Sequence, residues 1–168
     1  YVYSNIFVGS TAPIAFVGAV RCEVRNNTIH RPGRWAVRIL QETVGNGFLP
    51  CGDNVFSENI IVFATVQPAI NIGGNTAPET FLFSHNLWFN PDNASWFPNT
   101  PNPEPARIIA NPQFIDTVGF YLRPESPAFG AGSGVAPPSR DYYRKEFAPN
   151  SIINNPPRQR ALGAVEYY

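Results

Sequence analysis

Four segments of the chain repeat one pattern: an apolar residue, two variable residues, Asn, one further residue, then an apolar residue. They are Val2-Tyr3-Ser4-Asn5-Ile6-Phe7, Val24-Arg25-Asn26-Asn27-Thr28-Ile29, Phe56-Ser57-Glu58-Asn59-Ile60-Ile61 and Phe83-Ser84-His85-Asn86-Leu87-Trp88. The asparagines fall 22, 32 and 27 positions apart. A helical repeat holds a tighter period, whereas strands joined by loops of unequal length do not. A second segment of alternating character follows each of the first three: Pro13-Ile14-Ala15-Phe16, Ala36-Val37-Arg38-Ile39 and Ala69-Ile70-Asn71-Ile72. Alternation at period two predicts a half-buried strand. Each repeat therefore reads as strand, Asn turn, strand, loop, strand.

Stacking such coils about 4.8 Å apart pairs each backbone group with the coil above and below. The expected fold is all-β, a right-handed parallel β-helix (solenoid) with a loop-rich C-terminal cap. Val2, Val24, Phe56 and Phe83 would form one internal stack; Phe7, Ile29, Ile61 and Trp88 would form another. Asparagine tolerates the left-handed backbone of a tight turn, and its amide can bond to the same amide in the next coil. Asn5, Asn27, Asn59 and Asn86 are thus expected to form a structural ladder.

The motif and the paired strands resemble the right-handed parallel β-helix superfamily that contains pectate lyases, other polysaccharide lyases and many secreted bacterial proteins. The resemblance continues through Asn111-Pro112-Gln113-Phe114-Ile115-Asp116, Tyr121-Leu122-Arg123-Pro124-Glu125-Ser126-Pro127-Ala128 and Gly130-Ala131-Gly132. Asp141-Tyr142-Tyr143-Arg144 and Leu162-Gly163-Ala164-Val165-Glu166-Tyr167 are similar to the ending of the closing segment common in that group. Residues 1–110 would be β-helix coils and 111–168 a final coil with the closing segment, one continuous domain. The resemblance implies an extracellular or cell-surface protein acting on a polysaccharide or other glycan.

Composition narrows the function classes. Charged residues are 14% of the chain, against about 25% in an average soluble domain. Together with 18 prolines and 13 glycines, this disfavours charged amphipathic helices. Twelve basic and twelve acidic residues cancel, so the basic excess of a nucleic-acid binder is missing. No apolar run approaches the roughly 20 residues of a membrane span. The chain has no methionine, so Tyr1 is expected to be a processed or trimmed end. On that expectation either a signal or pro-segment has been removed or the chain is the C-terminal part of a longer protein. Cys22 and Cys51 permit one disulfide, which would indicate an oxidising compartment; two buried free thiols are the other reading.

Aligning the coils on the asparagines gives columns of outward residues. Arg25 lies beside Ser57, Ser84 and Tyr3. Asn26, Glu58 and His85 stand immediately before the ladder, where Glu58 could tune the His85 imidazole. Arg38 aligns with Ala15 and Asn71, with Arg31, Arg34 and Trp35 in the adjoining loop. Arg25, Arg38, Trp35, Glu58 and His85 are the candidate ligand-binding residues, with Trp35 as a stacking platform for sugar. The loop from Asn90 to Pro105 is expected to shape one rim of a groove. No catalytic residue is assigned. Four aspartates are present with no Asp-Asp or Asp-x-Asp pair, which argues against a pectin-hydrolase pattern and an Asp-rich calcium site. No metal site and no cofactor are expected, with calcium left open. Two functions follow. One is polysaccharide binding or processing, lyase-like or hydrolase-like. The other is a non-catalytic structural, adhesive or filament-forming role. In the second, the uncovered first coil stacks on earlier coils or on another copy of the chain.

Overall fold

The computed structural model describes residues 1–134, 142–143 and 162–165. Strands β1 (Val2–Tyr3), β2 (Ile6–Val8) and β3 (Ile14–Val17) make a first circuit. Strands β4 (Glu23–Arg25), β5 (Thr28–His30) and β6 (Val37–Leu40) make a second, and β7 (Val55–Ser57), β8 (Ile60–Val62) and β9 (Ile70–Ile72) a third. Strands β10 (Leu82–Ser84) and β11 (Leu87–Phe89) begin a fourth, and β12 (Ile108–Ile109) adds a last strand. The only helical element among the described residues is a 3-10 turn, Pro78–Thr80.

Each circuit contributes to the same three sheets in the same order: β1-β4-β7-β10, β2-β5-β8-β11-β12 and β3-β6-β9. All pairings between these strands are parallel. The protein is therefore all-β with parallel sheets, an arrangement consistent with a solenoid. The unequal asparagine spacing has a local cause. The corner between first and second sheets is always two residues, while the corner between third and first varies, occupying residues 18–22, 41–54 and 73–81.

The register realises both apolar stacks. Val2, Val24, Phe56 and Phe83 align across the first sheet, and Phe7, Ile29, Ile61 and Trp88 across the second. Strand β3 buries Ile14 and Phe16 while Ala15 and Val17 face out, the alternation that its sequence carries. Aromatic packing tightens the interior, with Phe56 centred 5.3 Å from Phe83 and Phe16 edge-on to Phe81 at 5.2 Å.

At the fixed corner each asparagine amide donates to the next. Asn5 Nδ2 reaches Asn27 Oδ1, Asn27 Nδ2 reaches Asn59 Oδ1 and Asn59 Nδ2 reaches Asn86 Oδ1, each at 3.0 Å. The same oxygens accept the backbone N–H of the preceding asparagine at 2.9–3.0 Å. The left-handed backbone, however, belongs to the residue before each asparagine: Ser4, Asn26, Glu58 and His85 have φ of 52°, 51°, 58° and 53°. The asparagine itself supplies the hydrogen bonds, not the unusual backbone.

Two expectations are corrected. Residues 90–107 do not form a groove rim but close the end of the core. Trp96 stacks on Phe63 at 5.4 Å and lies 6.3 Å from Trp88. Asn99 satisfies both backbone groups of Ile70, at 3.0 and 2.8 Å. Asn102 Nδ2 points at the carbonyls of Pro78, Glu79 and Phe81. Glu104 Oε1 then takes the place of a fifth asparagine, accepting Asn86 Nδ2 at 2.7 Å and its N–H at 3.2 Å, while Oε2 accepts the Trp88 indole at 2.9 Å.

The described part of the closing segment lies elsewhere, along the outside of the second sheet. Leu122, Ala128 and Leu162 form a second apolar cluster with Ile60 and Leu87. Gly163 donates to the Glu58 carbonyl at 2.9 Å, and Ala164 N–H donates to Thr28 Oγ1 at 3.1 Å. Gly163 has φ of +86° and sits so close that a Cβ would meet Ile60 Cδ1 at 2.7 Å, so glycine is required twice over. Asp141, Arg144, Glu166 and Tyr167 of the closing motif lie outside the described residues.

The two cysteines are free. Val20 pairs with Gly52, and Cys22 N–H donates to Asn54 Oδ1 at 2.8 Å. The register thus sets Cys22 against Asn54, three residues beyond Cys51, and each thiol turns to a backbone carbonyl instead.

Candidate functional site

The column before the ladder does not form a site. Glu58 is only 3% exposed. Its Oε1 accepts the Ser133 N–H at 2.8 Å and also the Ser133 hydroxyl. This carboxylate latches the closing segment onto the third circuit. No hydrogen bond joins Glu58 to His85, whose Nδ1 is buried without a partner. The Glu58 carboxylate is instead taken by the closing segment. Asn26, third in the column, is equally buried.

Arg25 aligns with Tyr3 and Ser57, as the column predicts. Its Nε lies 3.2 Å from Glu23 Oε2, close enough for ion pairing but without hydrogen-bond alignment. The same oxygen accepts the Tyr3 hydroxyl at 2.8 Å. Burial first, and then this bond, push the Tyr3 hydroxyl up to about 12. Arg25 is thus neutralised within its own face and offers little charge to a ligand.

Arg38, Trp35 and Asn71 do come together. Strand β6 projects Arg38 outward between Ala15 and Asn71, and Arg38 Nε donates to Asn71 Oδ1 at 3.4 Å. The Arg38 guanidinium carbon lies 4.6 Å from the centre of the Trp35 ring, and that of Arg34 lies 4.0 Å from it. Trp35 is 9% exposed. It is not an open platform for sugar but an anchor holding two cations. Stacking uses the face of a guanidinium and leaves its in-plane N–H groups to grip an anion. Among the described residues neither Arg34 nor Arg38 has a carboxylate within 4.0 Å. The pair forms a fixed cationic surface on the third sheet and its neighbouring loop.

Among the described residues no group of three or more His, Cys, Asp or Glu side chains could hold a metal ion, and no helix is long and apolar enough to cross a membrane. The chain matches no family model, no curated protein and no solved structure.

Column alignment passed over a second basic region. His30 stands outward on the second sheet in a column otherwise apolar, Val8, His30, Val62 and Phe89. A polar residue in such a column is the signal that could have marked it. The groups that complete the region, Gln113, Phe114 and Arg123, come from the closing segment, and no spacing in the sequence places them there.

Proposed function

We propose that this chain is a right-handed parallel β-helix that binds an acidic polysaccharide outside the cell. The carrying observation is the Arg34–Trp35–Arg38 stack with Asn71: two guanidinium groups pre-ordered on an indole, with no carboxylate within 4.0 Å among the described residues. Pre-ordering lowers the entropy lost when a carboxylate is gripped, and arginine matches the planar carboxylate of a uronate sugar. The hand is supported by the strong preference of parallel crossovers for right-handed connection, and the family by the repeated motif and closing segment. Localisation rests on the ligand class, since the cysteines are unbridged. The proposed activity is binding, because Glu58 is committed to Ser133.

Electrophoresis of the native protein through gels containing polygalacturonate or a neutral glucan tests this reading. Retardation by the acidic polymer alone, reduced in R34A/R38A, is expected. Equal mobility in both gels would overturn it.

One observation favours a second role, in which the first circuit stacks on earlier β-helix coils or on another copy of the chain. The ladder oxygens of Asn27, Asn59 and Asn86 each accept two hydrogen bonds from the previous circuit, whereas Asn5 Oδ1 accepts none among the described residues. Val2 and Phe7 are likewise only half-buried, against full burial of Ile29 and Phe56. At the other end Glu104 accepts from Asn86 in the place of a further ladder amide, which favours association through the first circuit alone. Association through Asn5 would then be bounded. Light scattering should show a mass that levels off with concentration; long filaments in micrographs would contradict this.

A further inference from the structure

A depression of about 580 Å³ opens at the seam between the outer face of the second sheet and the closing segment. His30 and Arg31 enter it from the sheet side, and Gln113 and Arg123 from the closing segment; Phe89 and Phe114 supply apolar wall. Among the described residues no carboxylate lines it. Among the described residues neither Arg31 nor Arg123 has an acidic group within 4.0 Å. Two cations and an imidazole therefore face one cavity without internal compensation, which favours an anion from solution.

The backbone around the cavity is fixed. Arg31 N–H donates to the Val62 carbonyl at 2.8 Å, and Arg123 N–H donates to that of Gln113 at 3.1 Å. The His30 ring packs edge-on against Phe120 at 5.2 Å, and Phe120 against Phe114 at 5.1 Å. Arg31 also holds a left-handed backbone, φ 49°, at the turn where the first circuit has Gly9 at φ 66°. That backbone favours glycine, so glycine is the substitution at Arg31 that leaves the turn unstrained.

We propose that this depression is a second anion site, in which Arg31 and Arg123 grip the carboxylate of a uronic acid residue whose apolar ring face rests on Phe89 and Phe114. The site itself stands on the cavity and its unpaired cations; only the sugar class rests on the acidic-glycan reading. Among the described residues the charged groups that line the depression with His30 are Arg31 on its own turn and Arg123 on the closing segment. Burial, and then Arg31, hold its imidazole below the usual range, and a bound carboxylate would raise it.

The chain has two histidines, so the His30 ring is readily followed by NMR. Titration with galacturonic acid should shift its resonances and raise its titration midpoint, while glucose should leave both unchanged. R123A, and separately R31G, which suits the left-handed backbone, should each weaken the response at least about tenfold. In R34A/R38A the His30 response should persist even though retention by the polymer falls. Persistence of the His30 response when wild-type protein is not retained would sink the polysaccharide reading and leave the cleft standing. An unmoved His30 ring, an equal response to acetate, or full binding in both arginine variants would overturn the cleft assignment.

Discussion

A buried amide that bridges two circuits has four hydrogen bonds to lose. Asn59 donates to Asn86 Oδ1 and the Val24 carbonyl and accepts both the N–H and amide of Asn27. We expect N59A to cost on the order of 3–5 kcal/mol in chemical denaturation, because each stranded buried group costs about 1–3 kcal/mol. N5A, at the open end, should cost about 1 kcal/mol. Equal losses would contradict the ladder as an internal, end-dependent device. Glu104 makes a second prediction. Its burial raises the carboxyl pKa above the ordinary 4.5, opposed by bonds from Asn86 and Trp88 and by Arg107. The folded state thus holds this proton more tightly than the unfolded chain does. The resulting stabilisation is complete below about pH 4.5 and is lost as pH rises through the raised value. Denaturation across that window should show this slope, and E104Q should flatten it. The recurring asparagines were legible in the sequence because one residue type recurs in one place. The left-handed position was not, since Ser4, Asn26, Glu58 and His85 share no chemistry that announces it.

The strands and their register could be read directly, because apolar stacks and period-two alternation survive every change in loop length. The roles of the two loop-rich segments could not. Residues 90–107 have the same proline and asparagine content whether they flank a groove or close a core. The decision lies in Trp96 against Phe63, Asn99 against Ile70 and Glu104 against Asn86, contacts that connect distant residues. W96A should therefore behave as a core truncation, lowering stability by about 2–4 kcal/mol and exposing Phe63 and Trp88. Hydrogen exchange should rise at β9 and β11 while β4 stays protected. A loss confined to the loop, with unchanged denaturation, would return Trp96 to a groove rim.

Taken whole, the molecule has no net charge to steer an acidic polymer, so binding must come from local, fixed cations. The columns of the sequence placed Arg38 beside Asn71 but could not show which outward residues another segment would cover. Glu58 was lost to Ser133 and Trp35 to two guanidinium groups, whereas His30 and Arg31 gained Arg123 from the closing segment. On these two surfaces Arg34 and Arg38, and Arg31 and Arg123, have no carboxylate within 4.0 Å among the described residues. Isothermal titration of an oligogalacturonate into wild type and R34A/R38A, at low and physiological salt, tests the binding claim most directly. The account predicts wild-type affinity that weakens with salt as surface charges are screened over about 8–10 Å. It also predicts at least a tenfold loss in the double variant with its thermal midpoint retained. Affinity indifferent to salt and unchanged in R34A/R38A, or equal for a neutral oligomer, would contradict it.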